Sequence, residues 1–171
     1  EYLARYGRFL PAENLRSVPL SPDGPTVATV MSELFAQSGG RPLDGVLTVD
    51  PRGIAALLAL TGPVEVDGFP EPIGATNAAD VLLRRQYLEF DNPDRIDFLA
   101  EAGRATFDRL VATDLPDIAT VIRTLRDAAV KRHLQMVSFD PEVATVLAEA
   151  GIDSAVPPVS GDDVMVITNN A

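Results

Sequence analysis

The sequence predicts a layered α/β domain, with a small mixed sheet flanked by helices, running as a single domain over residues 1–171. Three observations predict it. Leu43–Val66 reads as strand, helix, strand with the punctuation in place. Further stretches carry apolar residues at helical spacing, and a second strand-to-helix passage begins at Phe139. Short β-branched runs alternating with amphipathic helices build sheet-and-helix layers. About three or four strands are visible by pattern, a thin sheet for so many helices. Either strands hide near the N-terminus, or the sheet is completed by chain outside this stretch or by a partner.

The elements follow in order. Tyr2, Leu3 and Tyr6 fit one helical face, which Gly7 and Pro11 end, and Pro19 and Pro22 favour an extended path. Ser21–Pro25 forms a turn into a helix whose Val27, Val30, Met31, Leu34 and Phe35 fall on one side, and Gly39-Gly40 stops it. Val46–Val49 is the first strand. Asp50 caps the next helix and Pro51 suits its first position, where no N–H is needed. Ile54, Leu57, Leu58 and Thr61 line that helix, Gly62 suits a left-handed stop, and Pro63 blocks continuation into the strand at Val64–Val66.

Asp67–Ala75 is a Gly- and Pro-rich loop, and Thr76 is the expected cap of a third helix lined by Ala79, Leu83, Tyr87 and Phe90. Asn92-Pro93 opens a fourth, with Ile96, Leu99, Gly103, Phe107 and Leu110 as its expected buried stripe. Glycine inside a helix costs about 1 kcal/mol against alanine, so Gly103 is expected at a close approach to another element. After Asp114-Leu-Pro116, a fifth helix turns Ile118, Val121, Ile122, Leu125 and Ala129 inward. Lys131, Arg132 and His133 at its end complement the helix dipole. Leu134–Phe139 is a strand, Asp140-Pro141 opens a helix that Gly151 ends, and Val164–Ile167 is a last strand. The passages from Val49 and from Phe139 share a grammar (strand, Asp-Pro cap, short helix, glycine) without a longer repeat around them.

Composition removes several function classes. The formal net charge is −11, which argues against nucleic acid and against a basic patch on anionic membrane. There is no cysteine, so thiol catalysis, disulfides and cysteine zinc sites are excluded. His133 is the sole histidine, which leaves no His-rich metal site and no Ser-His-Asp triad elsewhere. No apolar run approaches membrane-spanning length. Ser160-Gly161 and Thr61-Gly62 lack the flanks of a nucleophile elbow or a P-loop.

The candidate site residues are few. Arg84 and Arg85 lie on the third predicted helix, and Asp94 and Arg95 open the fourth; a helical hairpin would bring them together as a phosphate site. A solvated face with surface ion pairs explains the same residues. Asp44, Asp50, Asp67 and Asp140 match no calcium-loop spacing, so no metal site is assigned. His133 is either a general base or a structural end-of-helix residue. No catalytic residue is assigned. After Arg132 there is no Lys or Arg, and the acidic remainder suits a basic partner, a cation or simple solvation.

The combination Ser21–Ala28, Leu43–Pro51, Leu60–Val66 and Thr168–Ala171 resembles the uncharacterised bacterial family numbered four thousand and twelve among the domains of unknown function. That resemblance implies an extracytoplasmic, membrane-anchored parent protein of which this chain is an excised part of a larger region. The Val46–Val66 unit is also distantly similar to the LytR-CpsA-Psr family, which attaches polyprenyl-linked glycopolymers to the cell wall with Mg²⁺ and arginines around a pyrophosphate. This resemblance implies a LytR-CpsA-Psr-like fold and places a phosphate site near Arg84, Arg85, Asp94 and Arg95. Arg84 and Arg85 are adjacent where that family separates its arginines, and its upstream catalytic Asp and Arg motifs have no counterpart here.

Three functions remain in view. The first is a binding or scaffolding module of the cell envelope, needing no cofactor, with an envelope glycopolymer or protein as partner. The second is a phosphotransferase on a polyprenyl-pyrophosphate-linked glycopolymer, using Mg²⁺. The third is a protein interaction domain with an exposed sheet edge.

Overall fold

Aspartate starts four of the helices, and the way it does so explains most of the chain's local structure. The computed structural model describes residues 2–13, 15–153 and 155–156. The described helices are α1 (Tyr2–Tyr6), α2 (Gly24–Gln37), α3 (Pro51–Thr61), α4 (Ala78–Asp80), α5 (Gln86–Glu89), α6 (Asn92–Ala112), α7 (Ile118–Val130) and α8 (Pro141–Glu149). The strands are β1 (Gly45–Val49) and β2 (Leu134–Ser138). Asp23, Asp50, Asp117 and Asp140 each accept hydrogen bonds from the first free N–H groups of α2, α3, α7 and α8. Those donors have no partner inside the helix, so the side-chain oxygen replaces one. Gly62 and Gly151 follow α3 and α8 at φ +84° and +68°, the left-handed region that favours glycine.

The fold is mixed α/β, and among the described residues its sheet has two strands. Asp50 N–H donates to His133 O at one end, and Phe139 N–H donates to Asp44 O at the other, an antiparallel register. The residues divide into two compact units: Glu1–Thr48 with Gln135–Ala171, and Val49–Leu134.

In the first unit, α2 packs on a 3₁₀ segment, Leu15–Leu20, that contains Pro19. An extended path was expected there. Pro19 instead tolerates the turn because its fixed φ is compatible with a 3₁₀ helix. The Tyr2 hydroxyl donates to Val18 O at 2.9 Å, and burial raises its pKa. Asp23 Oδ2 caps α2 through Thr26 N while Oδ1 accepts from Val156 N at 3.0 Å. After α8, Ile152 returns to the outer edge of β2, its carbonyl accepting from Met136 N.

In the second unit, α3 contacts α4, α6 and α7 around a core of Leu58, Val64, Val66, Ile73, Ala78, Val81, Leu82, Phe98 and Ala102. The expected strand at Val64–Val66 is reduced to one antiparallel bridge, Val64 with Ile73. Pro63 on one side and the Gly- and Pro-rich loop on the other leave no room for a ladder. The helix after that loop begins at Ala78, so Asn77 and not the expected Thr76 stands at the cap position. Asn77 Oδ1 accepts from Gly74 N at 2.7 Å and so organises the turn before it. Val81–Arg85 forms a π-helical turn between α4 and α5. Gln86 is buried there, its Nε2 donating to Leu82 O, and its Oε1 is the one buried side-chain atom without a partner among the described residues.

Helix α6 departs most from expectation. Its buried residues are Phe98, Ala102 and Thr106, one position away from the predicted stripe. Phe98 decides the rotation: its ring lies 4.7 Å from Phe90 and 5.4 Å from Phe69, an aromatic cluster that α6 turns to reach. Ile96, Leu99 and Phe107 are exposed. Gly103 is not a point of close approach, because a Cβ there would meet nothing within 4 Å. The predicted strand Val164–Ile167 lies outside the described residues.

Two predictions test this architecture. A Cβ at Gly53 would overlap the His133 carbonyl oxygen, which is backbone and cannot swing aside. Gly53→Ala therefore destabilises the protein by more than about 2 kcal/mol despite alanine's better helix propensity, whereas Gly103→Ala stabilises it by about 1 kcal/mol, both read by urea denaturation at low protein concentration. The Asp117 carboxyl is held below its ordinary pKa by the Thr120 hydroxyl first and the Thr120 N–H second. A lowered folded pKa adds stability above the unfolded value, and that stability is lost as pH falls through the folded one. Between about pH 6 and about pH 3 the wild type therefore loses more stability than Asp117→Asn, which caps without titrating.

Candidate functional site

The second unit holds the four residues expected to bind phosphate, and their surroundings follow from helix spacing. Arg84 lies one turn after Asp80, so its guanidinium meets that carboxylate with Nε at 2.8 Å and Nη2 at 3.3 Å. The pair lowers the Asp80 pKa, mainly through the hydrogen bond from Arg84. Arg85 faces another way. It is held between Glu89, at 2.8 Å, and Glu71, and its guanidinium lies 4.8 Å from the centre of the Phe69 ring. Arg95 donates to Asn92 Oδ1 at 2.5 Å and stacks over Tyr87 at 4.5 Å. Asp94 is exposed in the first turn of α6, where its charge suits the dipole.

Helices α5 and α6 are in contact across the link Phe90–Asp91. The arginines do not share one partner across it. Arg84 and Arg85 spend their donors on three carboxylates of their own unit, and Glu71 and Glu89 flank the place where an anion would approach Arg85. Negative charge around an arginine weakens its field for phosphate.

A different polar pair emerges at the start of α3. Asp50 Oδ1 accepts from Arg52 N at 2.8 Å and from Gly53 N at 2.9 Å, while Oδ2 lies 2.7 Å from His133 Nδ1. His133 N–H in turn donates to Ala128 O at 2.7 Å, closing the end of α7. An aspartate on Nδ1 is the arrangement that orients an imidazole in hydrolytic triads, with the other nitrogen facing a hydroxyl. Here no hydroxyl among the described residues hydrogen-bonds that second nitrogen. The pair fixes the ring and ties residue 50 to residue 133. Both residues stand out in the sequence, but their meeting does not. It follows from the antiparallel pairing of β1 with β2, which sets the residue after one strand beside the residue before the other.

Asp44, Asp50, Asp67 and Asp140 form no metal cluster, and no group of three or more potential metal-ligating side chains gathers among the described residues. The first unit carries two open grooves. One, of about 470 Å³, runs between α1 and α2 past Tyr2, Leu3, Val30 and Glu33. The other, of about 360 Å³, is apolar and lies between α2 and β1, lined by Met31, Phe35, Leu43 and Leu47. The first is also lined by the polar Thr26, Thr29 and Gln37, whereas Ser38 is the one polar side chain lining the second among the described residues. Among the described residues no helix is long and apolar enough to cross a membrane.

Asp50 and Asp140 provide an internal comparison, since each caps its helix through two backbone N–H groups. Asp50→Ala costs the cap, about 1–2 kcal/mol, and the His133 contact in addition. It therefore lowers the urea midpoint more than Asp140→Ala does, and a His133→Ala background removes the difference.

The comparisons with known proteins place the chain without assigning it a reaction. No curated protein and no solved structure matches it. One family model does match, over residues 1–87, just over half the chain, and its description is "Protein of unknown function (DUF4012)". The match takes in α1 to α3, β1 and Arg84 and Arg85, and the chain belongs to the DUF4012 family.

Proposed function

We propose that this chain is a non-catalytic binding or scaffolding module of the bacterial cell envelope, on the extracytoplasmic side. The observation that carries the non-catalytic part is the neutralisation of Arg84 and Arg85. Arg84 is occupied by Asp80, and Arg85 by Glu71 and Glu89. An anion at either arginine would have to displace a carboxylate already in place, with no gain in charge pairing. The envelope setting is supported by the resemblance set out above, and the net charge of −11 is compatible with a protein that stays clear of anionic lipid. What remains for function is surface: exposed apolar side chains on the π turn, α5 and α6, including Leu83, Tyr87, Leu88 and Phe107.

Calorimetric titration of the chain with a short polyprenyl pyrophosphate in Mg²⁺ tests this against the phosphotransferase reading. The expected result is no saturable heat from either the wild type or Arg95→Ala. Saturable binding by the wild type that Arg95→Ala abolishes would overturn the proposal. Protease accessibility of the parent protein in intact cells tests the compartment separately.

A further inference from the structure

The larger groove of the first unit has a polar lining whose hydrogen-bonding sense is one-sided. It runs between α1 and α2, both inside that unit, and its volume of about 470 Å³ falls within the range of small-molecule sites. Helix α2 presents Thr26, Thr29, Glu33 and Gln37 to it, three or four residues apart and so on one face over about 16 Å. Val30 and Leu34 lie beside them, and Leu3 and Pro11 add apolar surface from the N-terminal segment. Most of the polar groups have already spent their hydrogens. Thr26 Oγ1 donates to Asp23 Oδ2 at 2.5 Å, and Thr29 Oγ1 donates to Pro25 O at 2.9 Å. The Tyr2 hydroxyl donates to Val18 O, and its raised pKa keeps the proton in place. The Glu33 carboxylate has no hydrogen to give. All of these oxygens keep lone pairs, since a hydroxyl accepts as well as donates. Among the described lining side chains only Gln37 brings N–H donors.

We propose that this groove binds a primary amine, with its ammonium group at Glu33 and its apolar stem along Val30, Leu34 and Leu3. An ammonium carries three donors and no acceptor, the complement of what the lining offers. Glu33 makes no hydrogen bond or ion pair among the described residues, and no lysine or arginine is among those that line the groove. Glu33 and Gln37 lie toward the C-terminal end of α2, where the helix dipole is negative and favours a cation. A sugar or other polyol would find acceptors for its hydrogens but few donors for its oxygens. An anion would meet the unpaired Glu33. A bare divalent cation takes about six or more oxygen ligands, and no group of three metal-ligating side chains gathers among the described residues. The net charge of −11 adds a general attraction for cations. The inference goes beyond the envelope reading and does not depend on it.

Titration of the isotope-labelled 171-residue chain with hexylamine, followed by amide chemical shifts, tests the site. The expected result is shifts centred on α1 and α2 that saturate with a Kd of about 1 mM, a strength open to a ligand of so few atoms. Hexanol has the same stem without the charge and hexanoate has the opposite charge; each is expected to bind at least about tenfold more weakly. Glu33→Gln keeps the shape and helix propensity of an exposed side chain, so the thermal midpoint is expected to stay put while hexylamine affinity falls at least about tenfold. Glu142→Gln removes an exposed carboxylate of α8, outside the groove lining, and is expected to bind like the wild type. No saturation below about 20 mM overturns the proposal. Equal affinity for hexylamine and hexanol overturns it too, as does a Glu33→Gln protein that binds like the wild type. Nα-acetyl-lysine methylamide separates the two sources of this chemistry. Binding at least as tight as that of hexylamine assigns a lysine side chain of a partner protein, and weaker binding assigns a free amine.

Discussion

The double use of the Asp50 carboxylate is the constraint on which the second unit depends. One oxygen satisfies the first free N–H groups of α3, and the other holds the His133 ring at 2.7 Å. The backbone of the same residue donates to the His133 carbonyl. The unit runs from Val49 to Leu134, so these bonds join its first turn to its last residues and close a long loop of chain. Closure of that kind restricts the starting direction of α3, and α3 is the helix that α4, α6 and α7 pack against. It also dictates a residue. With the His133 carbonyl pressed against the first turn of α3, position 53 has no room for a side chain, and the sequence supplies glycine there.

Much of this was legible because it is local. A strand, an Asp-Pro start, a short apolar helix and a glycine stop specify β1 with α3, and β2 with α8, from neighbours in sequence alone. What was not legible depends on neighbours far away in sequence. Periodicity identified α6 as amphipathic but had two apolar faces to choose between, and the choice was made by Phe90 and Phe69, which Phe98 turns to meet. The π turn at Val81–Arg85 has no spacing signature either, and Gln86 supports it through a bond to Leu82. Asp50 was recognised as a cap and His133 as an end-of-helix residue, each correctly placed. Their contact needed the register of two strands separated by the whole second unit.

The candidate phosphate residues show why charge counted along a sequence differs from charge available to a ligand. Arg84, Arg85, Asp94 and Arg95 look like a basic cluster when read in order. Helix spacing sets Arg84 over Asp80 and Arg85 beside Glu89, four residues away in each case, and the preceding loop adds Glu71. In a chain with 25 acidic and 14 basic residues, Arg84 and Arg85 find carboxylates close by, and their field is largely cancelled before any ligand arrives. Exposed ion pairs of this type contribute little to stability. Their effect here is to leave an acidic protein with few places where an anion is welcome, and this narrows function toward contacts made by apolar surface.

Two glycines in helices carry the contrast further. Gly53 and Gly103 look equivalent in sequence, each inside an apolar repeat and each costing helix propensity. Gly53 is accounted for from within, by a carbonyl that forbids any larger residue. Gly103 faces open space in the middle of a stripe of large apolar residues, where alanine or leucine would fit and would strengthen the helix. Among the described residues nothing meets a side chain at position 103, so this glycine has no explanation in the packing of its own helix.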